Sequence, residues 1–108
     1  MSNVKLIIQY PNPHDVYVFD KAYLEELMPF ASKELEGKTK IVDTAPQPHT
    51  HHALPSYHRI TEIYFPSMEA LLACTESEAG KKFKEQSAEI STGGAPNFII
   101  AEEEVTEF

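Results

Sequence analysis

Val4, Leu6, Ile8 and Tyr10 alternate with Lys5, Ile7 and Gln9, a two-residue period that predicts a strand over Val4 to Tyr10. Pro11-Asn12-Pro13 closes it, because neither proline has an N–H to give to a ladder. The period then changes. Tyr23, Leu27, Phe30 and Ala31 fall on one helical stripe, which predicts a helix over roughly Lys21 to Leu35 with Asp20 as its N-cap. Pro29 lies inside that span and has to kink or split the helix, since its ring meets the carbonyl four residues back. Gly37 marks the helix end. Lys40 to Thr44 is a short second strand, followed by a loop with Pro46, Pro48 and Pro55. Tyr57 to Phe65 is the clearest strand, stopped by Pro66. Ser67 caps a helix through about Cys74, and a second helical segment from about Ser77 to Glu89 is anchored by Phe83. Ser91-Thr92-Gly93-Gly94 is a loop, and Asn97 to Ala101 is the last strand.

The order strand, helix, strand, strand, helix, strand is the ferredoxin-like double split βαβ pattern, of the α+β class. It predicts one four-stranded antiparallel sheet with the helices on one face, in a single domain over residues 1–108. Leu6, Ile8, Ile63 and Phe65 suit the helix-covered face, although Arg59 and Thr61 share their parity. The other face then holds Lys5, Ile7, Gln9, His58, Ile60, Glu62 and Tyr64. A single sheet leaves that mixed face open. The economical cover is a second copy, giving a homodimer with sheets facing each other around a cavity for a small organic molecule.

Composition narrows the functions. With 9 basic and 17 acidic residues the formal charge is −8, and the basic residues are scattered, which argues against a nucleic-acid partner. No apolar run approaches the roughly 20 residues of a membrane helix, so no membrane partner is expected. The N-terminus has no secretory pattern and there is one cysteine, which points to the cytoplasm.

The ionisable set on the open face supplies the candidate chemistry. His58 and Glu62 are the expected acid/base residues, and Tyr64 is placed to stabilise an oxyanion. Tyr57, Gln9, Ile60 and Tyr23 are the expected substrate contacts, with Tyr23 also reading as a core tyrosine. His58 would be the candidate axial ligand for haem, but a lone histidine gives little support, and no cofactor is expected. In an extended His49-Thr50-His51-His52 segment, His49 and His51 would point the same way about 7 Å apart. That permits a metal-dependent enzyme as an alternative, although a solvated loop is the plainer reading and no native metal site is expected. Cys74 reads as a buried structural thiol, and Gly93-Gly94 as a turn.

Several strings resemble the EthD family of the dimeric α+β barrel superfamily. They are Tyr10-Pro11-Asn12-Pro13, Phe19-Asp20, Tyr23-Leu24 with Met28-Pro29-Phe30, the run from Tyr57 to Leu71, Ser77-Glu78-Ala79-Gly80-Lys81, and Gly93-Gly94. They cover nearly the whole chain in order. The resemblance implies a ferredoxin-like protomer and a homodimer whose sheets enclose a barrel. The family name comes from a member associated with ethyl tert-butyl ether degradation beside a monooxygenase system. Similar barrels include cofactor-free monooxygenases, lactone isomerases, polyketide cyclases, dehydratases and haem enzymes. The resemblance therefore leaves open an oxidoreductase, isomerase or dehydratase, an accessory to a degradation pathway, or a non-catalytic ligand-binding or assembly module. This chain departs from the family's Tyr-Leu-x-x-His-x-Pro pattern, for Leu27 stands where relatives carry the histidine.

Overall fold

The computed structural model describes residues 3–49 and 53–108. Four strands, β1 (Asn3–Pro11), β2 (Lys40–Thr44), β3 (Tyr57–Phe65) and β4 (Asn97–Glu103), pair antiparallel in the order β2-β3-β1-β4. This is the expected ferredoxin-like α+β arrangement. β4 extends to Glu103, two residues past its expected end, because Glu102 and Glu103 continue the ladder opposite Val4 and Asn3.

The first helical span begins earlier than its stripe predicts. Helix α1 runs Val16–Ala22, and Asp15 rather than Asp20 caps it, accepting from the Val18 N–H at 3.1 Å. Val16 and Val18 are poor helix formers, but the cap and the burial of Phe19 outweigh that preference. Asp20 is released to reach the sheet. A π turn, Tyr23–Leu27, joins α1 to α2, Met28–Glu34. Its signature is the Met28 N–H bonding the Tyr23 carbonyl five residues back. The widened turn lies immediately ahead of Pro29, which stands in the first turn of α2. The proline is thus accommodated by a widened turn, and the backbone stays helical at both joins. The two later helices are α3, Met68–Glu76, capped by Ser67, and α4, Glu78–Ile90, capped by Ser77. Each cap hydroxyl accepts from an N–H three residues on.

Val4, Leu6, Ile8 and Tyr10 of β1 and Ile63 and Phe65 of β3 are buried against the helices, with Phe19, Tyr23, Leu27, Ala31, Leu71 and Phe83 opposite them. The polar parity of Arg59 and Thr61 is absorbed here. Thr61 is fully buried and bonds the buried Tyr23 hydroxyl, and Tyr10 donates to the buried Ser87 at 3.0 Å. Two glycines mark close approaches. A Cβ on Gly80 would lie 2.1 Å from the Cys74 carbonyl oxygen, so only glycine lets α4 start this close to the end of α3. A Cβ on Gly93 would lie 1.7 Å from the Asn12 carbonyl oxygen.

The other sheet face carries Ile7, Gln9, Ile60 and a polar cluster. Lys5 bonds Glu62 and, at 2.9 Å, Glu103, and the Tyr64 hydroxyl donates to the same Glu103 oxygen at 2.6 Å. The Lys40 ammonium stands 4.3 Å from the centre of the Tyr64 ring. The Glu103 and Glu62 carboxylates hold the Lys5 pKa above its ordinary value. The Lys5 ammonium and the Tyr64 hydroxyl hold Glu103 below the carboxylate range, and the bond to Glu103 pushes Tyr64 up.

Two tests follow from this packing. Gly80→Ala is expected to cost about 2 kcal/mol or more, a fall in Tm of roughly 10 °C, because the atom it meets is backbone and cannot swing aside. A variant melting with the native chain would refute the close approach. The cluster sets a pH dependence. Glu103 is lowered in the fold, so its contribution is present above the unfolded value of 4.5 and is lost as pH falls through the folded one. Lys5 is raised, so its contribution is present below 10.5 and is lost only as pH rises through the folded value. Melting temperatures between pH 2 and 7 are expected to show a smaller acid-side loss in Glu103→Gln than in the native chain.

Candidate functional site

The strand register decides where the expected site residues go. β1 and β3 pair in step from Val4–Phe65 to Tyr10–Arg59, and then Pro11 faces Tyr57, leaving His58 as an extra residue in β3. The irregularity falls at Pro11, which has no N–H to keep the ladder in step. A bulge re-aims side chains. His58 is therefore not on the open face with Glu62, and the expectation that the two share a face is corrected. The imidazole instead meets α1. Its Nε2 lies 2.8 Å from the Asp20 Oδ1, and its ring stands edge-on to Phe19, centroids 5.2 Å apart.

A polar chain runs inward from this pair. The Arg59 Nη2 donates to the same Asp20 oxygen at 3.3 Å, and Nη1 donates to Asp43 Oδ2 at 2.9 Å. Its guanidinium carbon is 4.9 Å from the centre of the Tyr23 ring. Tyr23 gives its one proton to Asp43 at 3.0 Å, so Thr61 is the donor in the bond between their hydroxyls. Burial pushes the Tyr23 hydroxyl well above the ordinary tyrosine range, and Tyr10 likewise. Two carboxylates thus share one arginine at the edge of the core, and a histidine closes the outer end. Among the described residues the Arg59 Nε is buried without a partner.

The expected site set accordingly divides. Glu62 and Tyr64 sit in the open-face cluster with Lys5 and Glu103. Gln9 and Ile60 pair across β1 and β3 on that face, and the Tyr57 hydroxyl accepts from Asn97 at 3.1 Å. Tyr23 is a core residue and His58 lies at α1. Asp20, Asp43 and Arg59 are the partners that sequence reasoning missed. By sequence alone Asp20 reads as a cap, and the available signal is a proline at the end of a strand, which favours a bulge. His49 is exposed, His51 lies outside the described residues, and among the described residues no group of three His, Cys, Asp or Glu is placed to hold a metal. No helix among them is long and apolar enough to cross a membrane.

A third feature lies between the sheet and helices α3 and α4. This cavity of about 300 Å³ is walled by Leu6, Phe65, Phe83, Phe98 and Ile100. Cys74, Thr75 and Lys84 supply its polar atoms. Burial pushes the Cys74 thiol up. The cavity is thus on the helix side of the sheet, not on the open face.

A family model described as the EthD domain matches residues 7–93. An EthD-family protein from Bacillus halodurans C-125 superposes with a TM-score of 0.85 at 24% identity, over 94% of this chain and 99% of that one. An EthD-like protein from Ralstonia eutropha JMP134 gives 0.72 at 18%, over 94% and 91%. A protein from Jannaschia sp. CCS1, described as a dimeric ferredoxin-like protein of unknown function, gives 0.63 at 16%, over 97% and 100%. No functionally curated protein matches. With the family match spanning most of the elements above, the chain belongs to the EthD domain family.

Proposed function

We propose that the protein is a homodimer, joined through its open sheet faces, that binds a small and mainly apolar organic molecule in the cavity beneath α3 and α4. The cavity carries this reading. Its volume of about 300 Å³ is at the lower end of ligand sites, and aromatic and aliphatic walls with a few convergent polar atoms are what such sites use. Its lining holds no histidine or carboxylate, so the chemistry available there is binding. The dimer is supported by the mixed open face, where Ile7, Ile60 and the 40%-exposed Ile99 surround internally paired charges. Such a face loses apolar exposure on pairing without leaving those charges unpartnered. The Jannaschia relative is described as dimeric, which supports the same assembly.

A second reading rests on the His58–Asp20 pair. A carboxylate holding one imidazole nitrogen orients the other for proton transfer, so an enzymatic activity would be centred there.

Native mass spectrometry, on protein purified without a metal-affinity step and then exposed to toluene, tests the first reading. The expected species is a dimer that retains the small molecule, and Ile100→Trp is expected to remove the ligand without splitting the dimer. A monomer, or a dimer whose retention ignores Ile100→Trp, overturns it. For the second reading, His58→Gln and Asp20→Asn are each expected to lower any turnover found by at least a hundredfold in a chain that still folds. Unchanged turnover in either removes the pair from catalysis.

A further inference from the structure

The cavity has one charged group in its lining, Lys84. The ion pairs among the described residues engage Lys5, His58 and Arg59, and Lys84 is in none of them. Its neighbours one helical turn away, Gly80, Lys81, Ser87 and Ala88, include no carboxylate. Its ammonium lies 5.4 Å from the centre of the Phe98 ring, so the aliphatic stem runs along the cavity wall and the charge stands at the rim. The other polar groups give little to an anion or an acid. The Thr75 hydroxyl already donates to the Leu72 carbonyl at 3.1 Å, and Cys74 is a weak donor.

We infer that the ligand is a small apolar carboxylic acid, its ring or chain held by Phe65, Phe83 and Phe98 and its carboxylate by Lys84. This inference rests on the binding reading above and names the ligand's chemical class. A hydrocarbon ligand gains no hydrogen bond from Lys84, and a neutral acceptor gains a weaker one than a carboxylate. A carboxylate at the rim gains a charge-assisted hydrogen bond while its apolar body fills the cavity. The chain's overall charge of −8 does not oppose this at close range, since charges beyond about 8–10 Å are largely screened at physiological salt.

The test compares benzoate, benzyl alcohol and toluene on the full chain at pH 7, by heteronuclear NMR titration that follows the cavity residues. Benzoate is expected to bind roughly tenfold more tightly than benzyl alcohol, with shifts at Leu6, Cys74 and Phe98. Lys84→Met keeps an unbranched apolar stem on Phe98 and is expected to erase that margin, with its amide spectrum outside the cavity matching that of the native chain to show that the variant folds. Lys84→Arg is expected to restore it. Equal affinities in the native chain, or a margin that survives Lys84→Met, overturn the inference while the shifts from benzyl alcohol or toluene keep the binding reading. No cavity shift from any of the three overturns both.

Discussion

The Tyr23 hydroxyl, with no exposure to solvent, must find partners inside the protein, and it finds Thr61 on β3 and Asp43 on β2. An unpaired buried hydroxyl would cost about 1–3 kcal/mol, so these bonds tie the π turn to two strands at one point. The ring is held as firmly as the oxygen. It stacks on Phe19, meets Tyr10 edge-on and carries the Arg59 guanidinium on its face. Much of the helix-covered face follows from that one anchor. Arg59 is on the buried side because two carboxylates and an aromatic face receive it there, and Thr61 is in the core because a tyrosine oxygen needs its proton.

The family strings become physical contacts in the fold. Pro11-Asn12-Pro13 and Thr92-Gly93-Gly94 meet at one end of the sheet, where Gly93 packs on Asn12, the His14 N–H bonds Thr92, and the Asn12 amide reaches the Pro55 carbonyl. The Ser-Glu-Ala-Gly run is the tight corner between α3 and α4, where Ser77 both ends one helix and caps the next. Pro11 has a further effect, for the ladder slips beside it and sends His58 across to α1. Leu27 is buried in the core one turn after Tyr23. The His58 imidazole of β3 stands against α1, beside Asp20.

Charge and apolar space are consequently kept apart. The open face gathers Lys5, Glu62, Tyr64 and Glu103, whose polar groups pair with one another. The sheet–helix space gathers aromatic and aliphatic walls with one cation at the rim. The His58–Asp20 pair belongs to neither, held at the end of the sheet by the bulge and α1.

The element order, the β2 and β3 boundaries, the Ser67 cap and a disturbed helix at Pro29 were legible in the sequence, because period, caps and proline act within a few residues. Parity also placed Leu6, Ile8, Ile63 and Phe65 correctly on the covered face. What lay beyond it was anything requiring two distant segments to meet. Asp20 reads as a cap until β3 brings His58 and Arg59, 38 and 39 residues away, to its carboxylate. His58 follows alternation until a one-residue slip beside Pro11 reverses it, and a slip of one residue changes a side chain's face. The cavity is a property of packing alone, since the same apolar residues would suit a filled core. The sequence determined which residues are apolar and in what period. The tertiary structure decided which polar groups pair and where space remains, because both depend on registers and separations that no local pattern encodes.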